Sequence, residues 1–380
     1  MLNTENRNAY AEEHTMFRDL VRKVLDRELV PNHERFEREG IHDRPFWRAL
    51  GEAGLLCPMV EEKYGGPGLD FRYNAVFGEE LAYYNTSGGP TLQSDITAEY
   101  IQNFGTEEQK AKYLPKMVAG ELITAIAMTE PGTGSDLQGV RTTARKDGDG
   151  YIVNGSKTYI TNGQNADLVI VVAKTNPNEG SKGMSLILVE SDRPGFARGR
   201  NLDKIGQHSA DTSELFFNDV RVPASNILGE EGRGFIYLMT QLPQERLAIA
   251  VAAQASAQRA FDEAVKFTKE RKAFGKTVFD FQNTRFVLAG MKAELQVGWA
   301  HLDWAITRHV AKQLTATEAS AAKLWHSELL GRTADAALQL HGGAGYMNEY
   351  PIAQIYRDAR VTRIFGGTSE IMKEVISRSI

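Results

Sequence analysis

The sequence predicts an α+β multidomain chain. An N-terminal helical domain is expected over 1–121, a middle antiparallel β domain over 122–231 and a C-terminal helical bundle over 232–380. Three observations carry this. Apolar residues keep a helical period through the first third. Between about 122 and 231 they come in short Val-, Ile- and Phe-rich runs with no helical period between them. After Gly234 the segments are long and dominated by Ala, Leu, Glu, Gln and Lys. With 380 residues, the chain exceeds one ordinary core, since domains run to roughly 100–200 residues.

From Phe17, apolar residues fall at Leu20, Val21, Val24, Leu25 and Leu29, one face of a helix that Pro31 ends. Phe46 to Leu56 repeats the pattern, loosened by Gly51 and Gly54, and a Gly/Pro-rich loop covers Tyr64 to Leu69. Glu79 to Tyr84 and Thr97 to Phe104 read as helical. Thr106 is an N-cap for Glu107 to Met117, with Glu107 and Glu108 in the favoured first turn. Leu122 to Met128 is the first strand-like run. Asn154-Gly155 divides two strand-like halves over Tyr151 to Ile160, the pattern of a hairpin turn. Leu168 to Ala173, Met184 to Val189 and Glu214 to Val222 are further strands. Helices are expected over 234–272, 281–312, 315–340 and 367–379, a four-helix bundle with short connections. Pro243 falls inside the first of these and predicts a kink that frees a carbonyl near Met239.

Composition excludes several classes. Charged residues make up 24% and apolar residues 42%, ordinary usage for a folded chain. The formal charge is −5 with no long basic run, which argues against a nucleic-acid partner. The single cysteine, Cys57, has no internal disulfide partner, and the eight histidines lack metal-ligand spacing, so no metal is expected. Apolar runs such as Leu168 to Ala173 are too short for a membrane span. Met1 to His14 is polar and acidic, unlike a secretory or organelle-targeting leader, and the expected setting is the cytoplasm of a bacterium.

Familiar nucleotide and nucleophile motifs fail. Gly275-Lys276-Thr277 ends like a P-loop but lacks the earlier glycine and a preceding strand. The glycines from Gly132 to Gly139 have the wrong spacing for a dinucleotide fingerprint. Ser320-Ala321-Ala322-Lys323 matches an S-x-x-K pattern without its companion motifs, and is read as part of an Ala-rich helix.

Five segments remain, at the joints between the predicted domains. Thr129-Glu130-Pro131-Gly132-Thr133-Gly134-Ser135-Asp136 comes after a buried-looking strand and offers backbone N–H groups and hydroxyls, as a phosphate or flavin edge requires. Tyr159 and Thr161 alternate on one strand face. Arg271 to Lys276 is a basic-aromatic helix end. Gln339 to Tyr346 and Ile364 to Glu370 are glycine-rich, and the last leads into a helix N-terminus, a setting that favours anions.

In this order on an α-β-α chain, these segments resemble the acyl-CoA dehydrogenase family, from about His14 to the C-terminus. Ala127 to Gly139 and Gln339 to Asp358 match the two family signatures. Leu242-Pro243-Gln244-Glu245-Arg246-Leu247 and Gly366 to Glu374 are most like the long-chain members. Gln354 departs from the second signature, which usually carries Lys or Arg there. The resemblance implies a β-barrel middle domain and FAD between it and the bundle. It places Met128, Thr129, Gly134 and Ser135 at the flavin and its phosphates, with Tyr159 and Thr161 flanking the ring. Arg271, Phe274, Gln282, Gln339 and Gly343 would serve the cofactor across a subunit interface of a homotetramer, and Thr368 and Glu370 its adenosine half. Ser135 would also meet substrate, and Arg246 would face the CoA or the interface. Electron-transferring flavoprotein is the implied acceptor, in fatty acid β-oxidation.

The implied reaction is α,β-dehydrogenation of an acyl-CoA thioester to the trans-2-enoyl-CoA. Many relatives carry the catalytic glutamate at the position of Gly366, where a positioned base contributes about 10²–10⁴-fold. Here Glu245 occupies the position used by long-chain and isovaleryl-type members, and is expected to be the base, with its pKa raised by a dry cavity. Gly366 would contribute its amide to the thioester oxygen, and a glutamate moved to 366 should reach the same proton. Small residues around Gly88, Gly89 and Ser94 would leave room for a long or branched acyl chain. Two other readings use the same residues: an acyl-CoA oxidase or flavin monooxygenase, and a non-catalytic flavin- or CoA-binding scaffold.

Overall fold

A computed structural model describes residues 2, 7–86 and 88–380. Of the polar N-terminal stretch, positions 1 and 3–6 lie outside the described residues. Helices α1 (Glu12–Glu28), α2 (His33–Glu39), α3 (Arg44–Glu52), α4 (Phe71–Tyr83), α5 (Gly89–Leu92), α6 (Ala98–Phe104) and α7 (Glu107–Val118) come first. Strands β1 (Thr124–Ala127), β2 (Thr143–Asp147), β3 (Gly150–Thr161), β4 (Leu168–Lys174), β5 (Met184–Glu190), β6 (Phe196–Asn201) and β7 (Thr212–Pro223) come next. Then come α8 (Gly234–Glu270), the short strands β8 (Lys272–Ala273) and β9 (Lys276–Thr277), and α9 (Gln282–Val310), α10 (Ala316–His341), α11 (Pro351–Ala359) and α12 (Ser369–Ser377).

Local chemistry accounts for several ends. The Thr106 hydroxyl accepts from the Gln109 amide while the Gln109 side chain accepts from the Thr106 amide, a capping box that starts α7 as expected. A π-helical turn over Gln93–Thr97 joins α5 to α6. It adds a residue to the turn and so rotates the faces of α6. α8 runs unbroken through Pro243 for 37 residues. Helix α11, inside the second signature, was not among the expected helices; Pro351 at its first turn is the signal that marks it.

The middle sheet has seven strands in the order β1-β4-β2-β3-β7-β6, with β5 on the other edge of β4. It is a curled sheet and is mixed rather than wholly antiparallel. β1 runs parallel to β4, pairing Thr124 with Leu168 and Ile126 with Ile170. The β2–β3 hairpin, inserted between them, returns the chain in the same direction. The hairpin turn lies at Asp147–Gly150, with Gly148 at φ +59°, and not at Asn154-Gly155. That pair is a bulge within β3, where the register to β7 shifts. The Asn154 side chain exchanges two hydrogen bonds with Asp219, and a Cβ at Gly155 would lie 2.4 Å from the Thr142 hydroxyl. Close approach of backbone, rather than chain reversal, is what needs the glycine.

Burial explains the strand composition. Leu168, Ile170 and Val172 of β4 face a core shared with Trp47, Leu50, Leu114 and Leu238, whereas Val169, Val171 and Ala173 face a second core with Val153, Leu215 and Phe217. A strand covered on both faces reads as a continuous apolar run. Behind this, α8 packs through Leu247, Ala250 and Val251 on Phe71 and Ala75 of α4 and on Leu302 and Ile306 of α9. Helices α8, α9 and α10 share a third core through Ala257, Leu295 and Leu330. α8 is thus the element that joins the N-terminal helices to the C-terminal ones.

Candidate active site

Glu245 lies on α8 where that helix meets α6. It is 6% exposed, and its Oε1 accepts a hydrogen bond from the Tyr100 hydroxyl at 3.0 Å. Burial raises its pKa to about 7, with the Tyr100 hydrogen bond and the Arg246 charge acting the other way. The carboxyl is therefore poised to gain or lose a proton near neutrality. Tyr100, itself fully buried, is pushed well above the usual phenol range by burial and by the Glu245 charge, so it stays a donor.

Gly366 sits over the next turn of the same helix. A Cβ built on it would lie 2.3 Å from Cδ1 of Ile249, four residues after Glu245. Residues four apart share a helix face, so Glu245 and Gly366 approach the same surface of α8. Gly366 and Gly367 have φ of +61° and +97°, the left-handed region. A bare backbone is needed there on both conformational and steric grounds.

Arg246, the next residue on the helix, reaches the glycine loop as well, its guanidinium 3.9 Å from a Cβ built on Gly367. It is 6% exposed, its Nη1 donates to the Ser320 hydroxyl at 3.1 Å, and its Nε is buried without a partner among the described residues. It points into the protein toward α10, and not outward. Ser320 and Lys323, which read from sequence as part of an Ala-rich helix, are both fully buried here. The Lys323 ammonium donates to the Gly367 carbonyl at 2.6 Å. Their burial, which the sequence did not signal, is what sets them apart.

The Thr129–Ser135 loop is tied to β3 from beneath. The Lys157 ammonium donates to the Met128 carbonyl at 3.0 Å and to Glu130 at 2.9 Å, and the Thr158 amide donates to the Thr129 carbonyl at 2.9 Å. Glu130 also accepts from the Arg141 and Thr142 amides. Lys157 is fully buried; burial lowers its pKa to about 8 against the opposing pull of Glu130. Just beyond, Tyr159 stands 69% exposed at φ +59°, at a register shift between Lys157 and Ile160, with Thr161 half-buried two residues on. The loop-to-β3 bonds thus bring Met128 and Thr129 against Lys157 and Thr158, with Tyr159 next along β3, and Gly134 and Ser135 lie exposed on the same loop.

The remaining expected residues lie at three places on the C-terminal elements. Arg271 caps α8, Phe274 is 93% exposed at φ +52°, and Gln282 opens α9. Gln339 and Gly343 lie exposed at the end of α10, next to His341, whose ring stacks on Phe267 of α8 at 4.4 Å. Thr368 caps α12 by accepting from the Ile371 amide, and Glu370 lies in its first turn. The small residues Gly88, Gly89 and Ser94 do not leave open room. A Cβ at Gly88 would meet Ala210 at 2.6 Å and one at Gly89 would meet Asn162 at 2.6 Å, and the Ser94 hydroxyl accepts from the Cys57 amide. Tight packing accounts for their size. Gln354, in place of Lys or Arg, shares a hydrogen bond with His33 and donates to the Asn85 carbonyl, so it needs no ion pair.

Family models match three successive stretches: the acyl-CoA dehydrogenase N-terminal domain over residues 11–121, the middle domain over 125–220 and the C-terminal domain over 232–380. The chain belongs to the acyl-CoA dehydrogenase family. It is 51% identical over 377 residues to the mitochondrial long-chain specific acyl-CoA dehydrogenase of Sus scrofa, covering 98% of this chain and 88% of that one. It is 38% identical to the short-chain specific acyl-CoA dehydrogenase of Megasphaera elsdenii, over 93% and 94%. Among solved structures, an acyl-CoA dehydrogenase from Geobacillus kaustophilus superposes with a TM-score of 0.96 at 52% identity, covering 98% and 99%. A glutaryl-CoA dehydrogenase from Mycobacterium smegmatis in complex with FADH2 superposes with a TM-score of 0.92 at 28% identity, over 99% and 96%.

The protein is an acyl-CoA dehydrogenase, an oxidoreductase, and its cofactor is FAD. The residues present fit that cofactor. A Cβ at Gly132 or Gly134 would meet nothing within 4 Å among the described residues, so the loop presents bare backbone. The exposed Tyr159 follows directly on Thr158, whose amide bonds the loop at Thr129, and offers a flat ring to an aromatic ligand. Among the described residues no helix is long and apolar enough to cross a membrane.

Proposed function

We propose that this acyl-CoA dehydrogenase acts on a fatty acyl-CoA thioester of long or branched chain, with Glu245 as the base, in fatty acid β-oxidation. One observation carries the assignment: a buried carboxyl with a pKa near 7 stands one helical turn from Ile249, the residue that Gly366 packs against. Glu245 removes the α-proton from the thioester and holds it on its carboxylate. The Gly366 amide donates to the thioester oxygen, where negative charge develops as that proton leaves, a donor worth roughly 10²–10³ in rate. The buried setting of Glu245 keeps water from competing for its proton. FAD, when bound, supplies the acceptor for the hydride from the β-carbon. Met128, Thr129, Gly134, Ser135, Tyr159 and Thr161 hold it, with Thr368 and Glu370 at its far end, and Ser135 helps seat the substrate; Arg246, turned inward toward α10, does not.

We place the domain boundaries at 121/122 and 231/232. Arg271, Phe274, Gln282, Gln339 and Gly343 are assigned to the cofactor of a neighbouring subunit in a homotetramer. Exposed Phe274, Phe286, Val297 and Tyr346 in the C-terminal part of the chain support such an interface. The 51% identity to a long-chain specific enzyme supports the substrate class. Electron-transferring flavoprotein is the proposed acceptor and the cytoplasm the proposed setting.

Anaerobic turnover with butyryl-, octanoyl-, palmitoyl- and methyl-branched acyl-CoA tests the substrate class. Palmitoyl- or branched acyl-CoA should give the highest kcat/KM, and a maximum at butyryl-CoA would contradict it. Reduction of electron-transferring flavoprotein without stoichiometric peroxide separates the dehydrogenase from an oxidase.

A further inference from the structure

The Gly366–Gly367 loop lies between the end of a 3₁₀ turn at Arg363 and the N-cap of α12. Its two residues adopt positive φ and carry no side chains, so other groups must hold it in place. α10 supplies them. Ser369 donates to Glu328 Oε1 at 2.9 Å and Arg363 donates to Glu328 Oε2 at 3.3 Å. The third anchor is the fully buried Lys323, whose ammonium reaches the Gly367 carbonyl at 2.6 Å.

Burying an ammonium costs several kcal/mol unless its charge is used. No carboxylate lies within ion-pair distance of Lys323 among the described residues. Glu328 and Glu370 act on it more remotely, and Arg246 opposes its charge. The Arg246 guanidinium comes within 3.9 Å of a Cβ built on Gly367, so both cations border the glycine loop. A methionine would fill the same space without that cost. What it would lose is the hydrogen bond to the loop.

We propose that Lys323 is a positioning residue that fixes the Gly366–Gly367 loop against α8, so that the Gly366 amide meets the thioester oxygen. This rests on the reading of Gly366 as the amide donor. Ser320, one turn earlier on α10, holds Arg246 on the same side. The pair explains why two polar residues stand on the buried face of an Ala-rich helix.

The test uses the FAD-loaded enzyme and acetoacetyl-CoA, whose bound enolate gives a charge-transfer band with oxidised flavin. Lys323→Met should lower kcat at least tenfold with KM changed little. It should also raise the apparent pKa for enolate formation by about one unit, a tenfold weaker stabilisation. Lys323→Gln, a neutral donor, should lie between Met and wild type; it carries the test if the Met variant does not retain FAD. A variant with unchanged enolate pKa overturns the proposal, whether or not kcat falls, because a merely structural role moves only folding and FAD content. A wild-type enzyme that turns over acyl-CoA but raises no enolate band refutes the Gly366 reading, and the role of Lys323 falls with it. A band present in wild type and undiminished in both variants refutes Lys323 alone.

Discussion

The hydroxyl of Tyr100 donates to Oε1 of Glu245 at 3.0 Å, linking the N-terminal helices to α8 at the proposed base. The hydrogen bond favours the charged carboxylate, while burial disfavours it, and the balance leaves the pKa at about 7. A base must be ionised to work. Activity therefore falls as pH drops through about 7, and kcat/KM should show an acid limb there. Tyr100→Phe removes the one opposing hydrogen bond and should move that limb upward by about one to two units, since a hydrogen bond to a charged group contributes about 1.5–3 kcal/mol. A pH–rate profile on both proteins checks this. An unmoved limb would detach Tyr100 from the base.

Moving the glutamate from 245 to 366 is harder than the sequence suggests. A side chain at 366 must adopt φ near +61° and displace Ile249 Cδ1, which would stand 2.3 Å from its Cβ. The left-handed conformation alone costs roughly 1–2 kcal/mol for a non-glycine residue. The double variant Glu245→Gln, Gly366→Glu should therefore recover little activity. Adding Ile249→Ala should raise recovery several-fold, measured as anaerobic flavin bleaching. Equal recovery with and without the Ile249 change would show that the loop yields freely.

Beneath the flavin loop, Lys157 and Glu130 form a buried pair at 2.9 Å. Removing one partner of such a pair leaves an unpaired charge and costs about 3–5 kcal/mol. Lys157→Met should lower the melting temperature and speed FAD release. The double variant Lys157→Met, Glu130→Gln should lose less than the sum of the single changes, because each single change orphans the other group. Thermal melts and FAD fluorescence on dilution measure both. Strict additivity would mean that the two residues act independently.

Much of the fold was legible in the sequence, because the period of apolar residues reports burial. The Val-rich run of β4 announced a strand, and Thr106 followed by Glu107 and Glu108 announced the start of α7. Asn154-Gly155 misled because a bulge and a turn ask for the same residues; which one forms is decided by Asp219, far along the chain. The parallel β1–β4 pair depends on the path of the intervening hairpin, which no local pattern encodes. At the site, Glu245 stood out beside the missing glutamate at 366. Tyr100 and Lys323 did not, since a tyrosine in a helix and a lysine among alanines look like packing and surface. Their roles come from contacts 145 and 44 residues away along the chain.

The central claim is that the Glu245 carboxylate takes the α-proton. The most direct measurement is anaerobic stopped-flow bleaching of the flavin by acyl-CoA in Glu245→Gln. The expected result is a folded protein with full FAD content whose bleaching rate falls by at least about 10²-fold. Bleaching at the wild-type rate in that variant would contradict it.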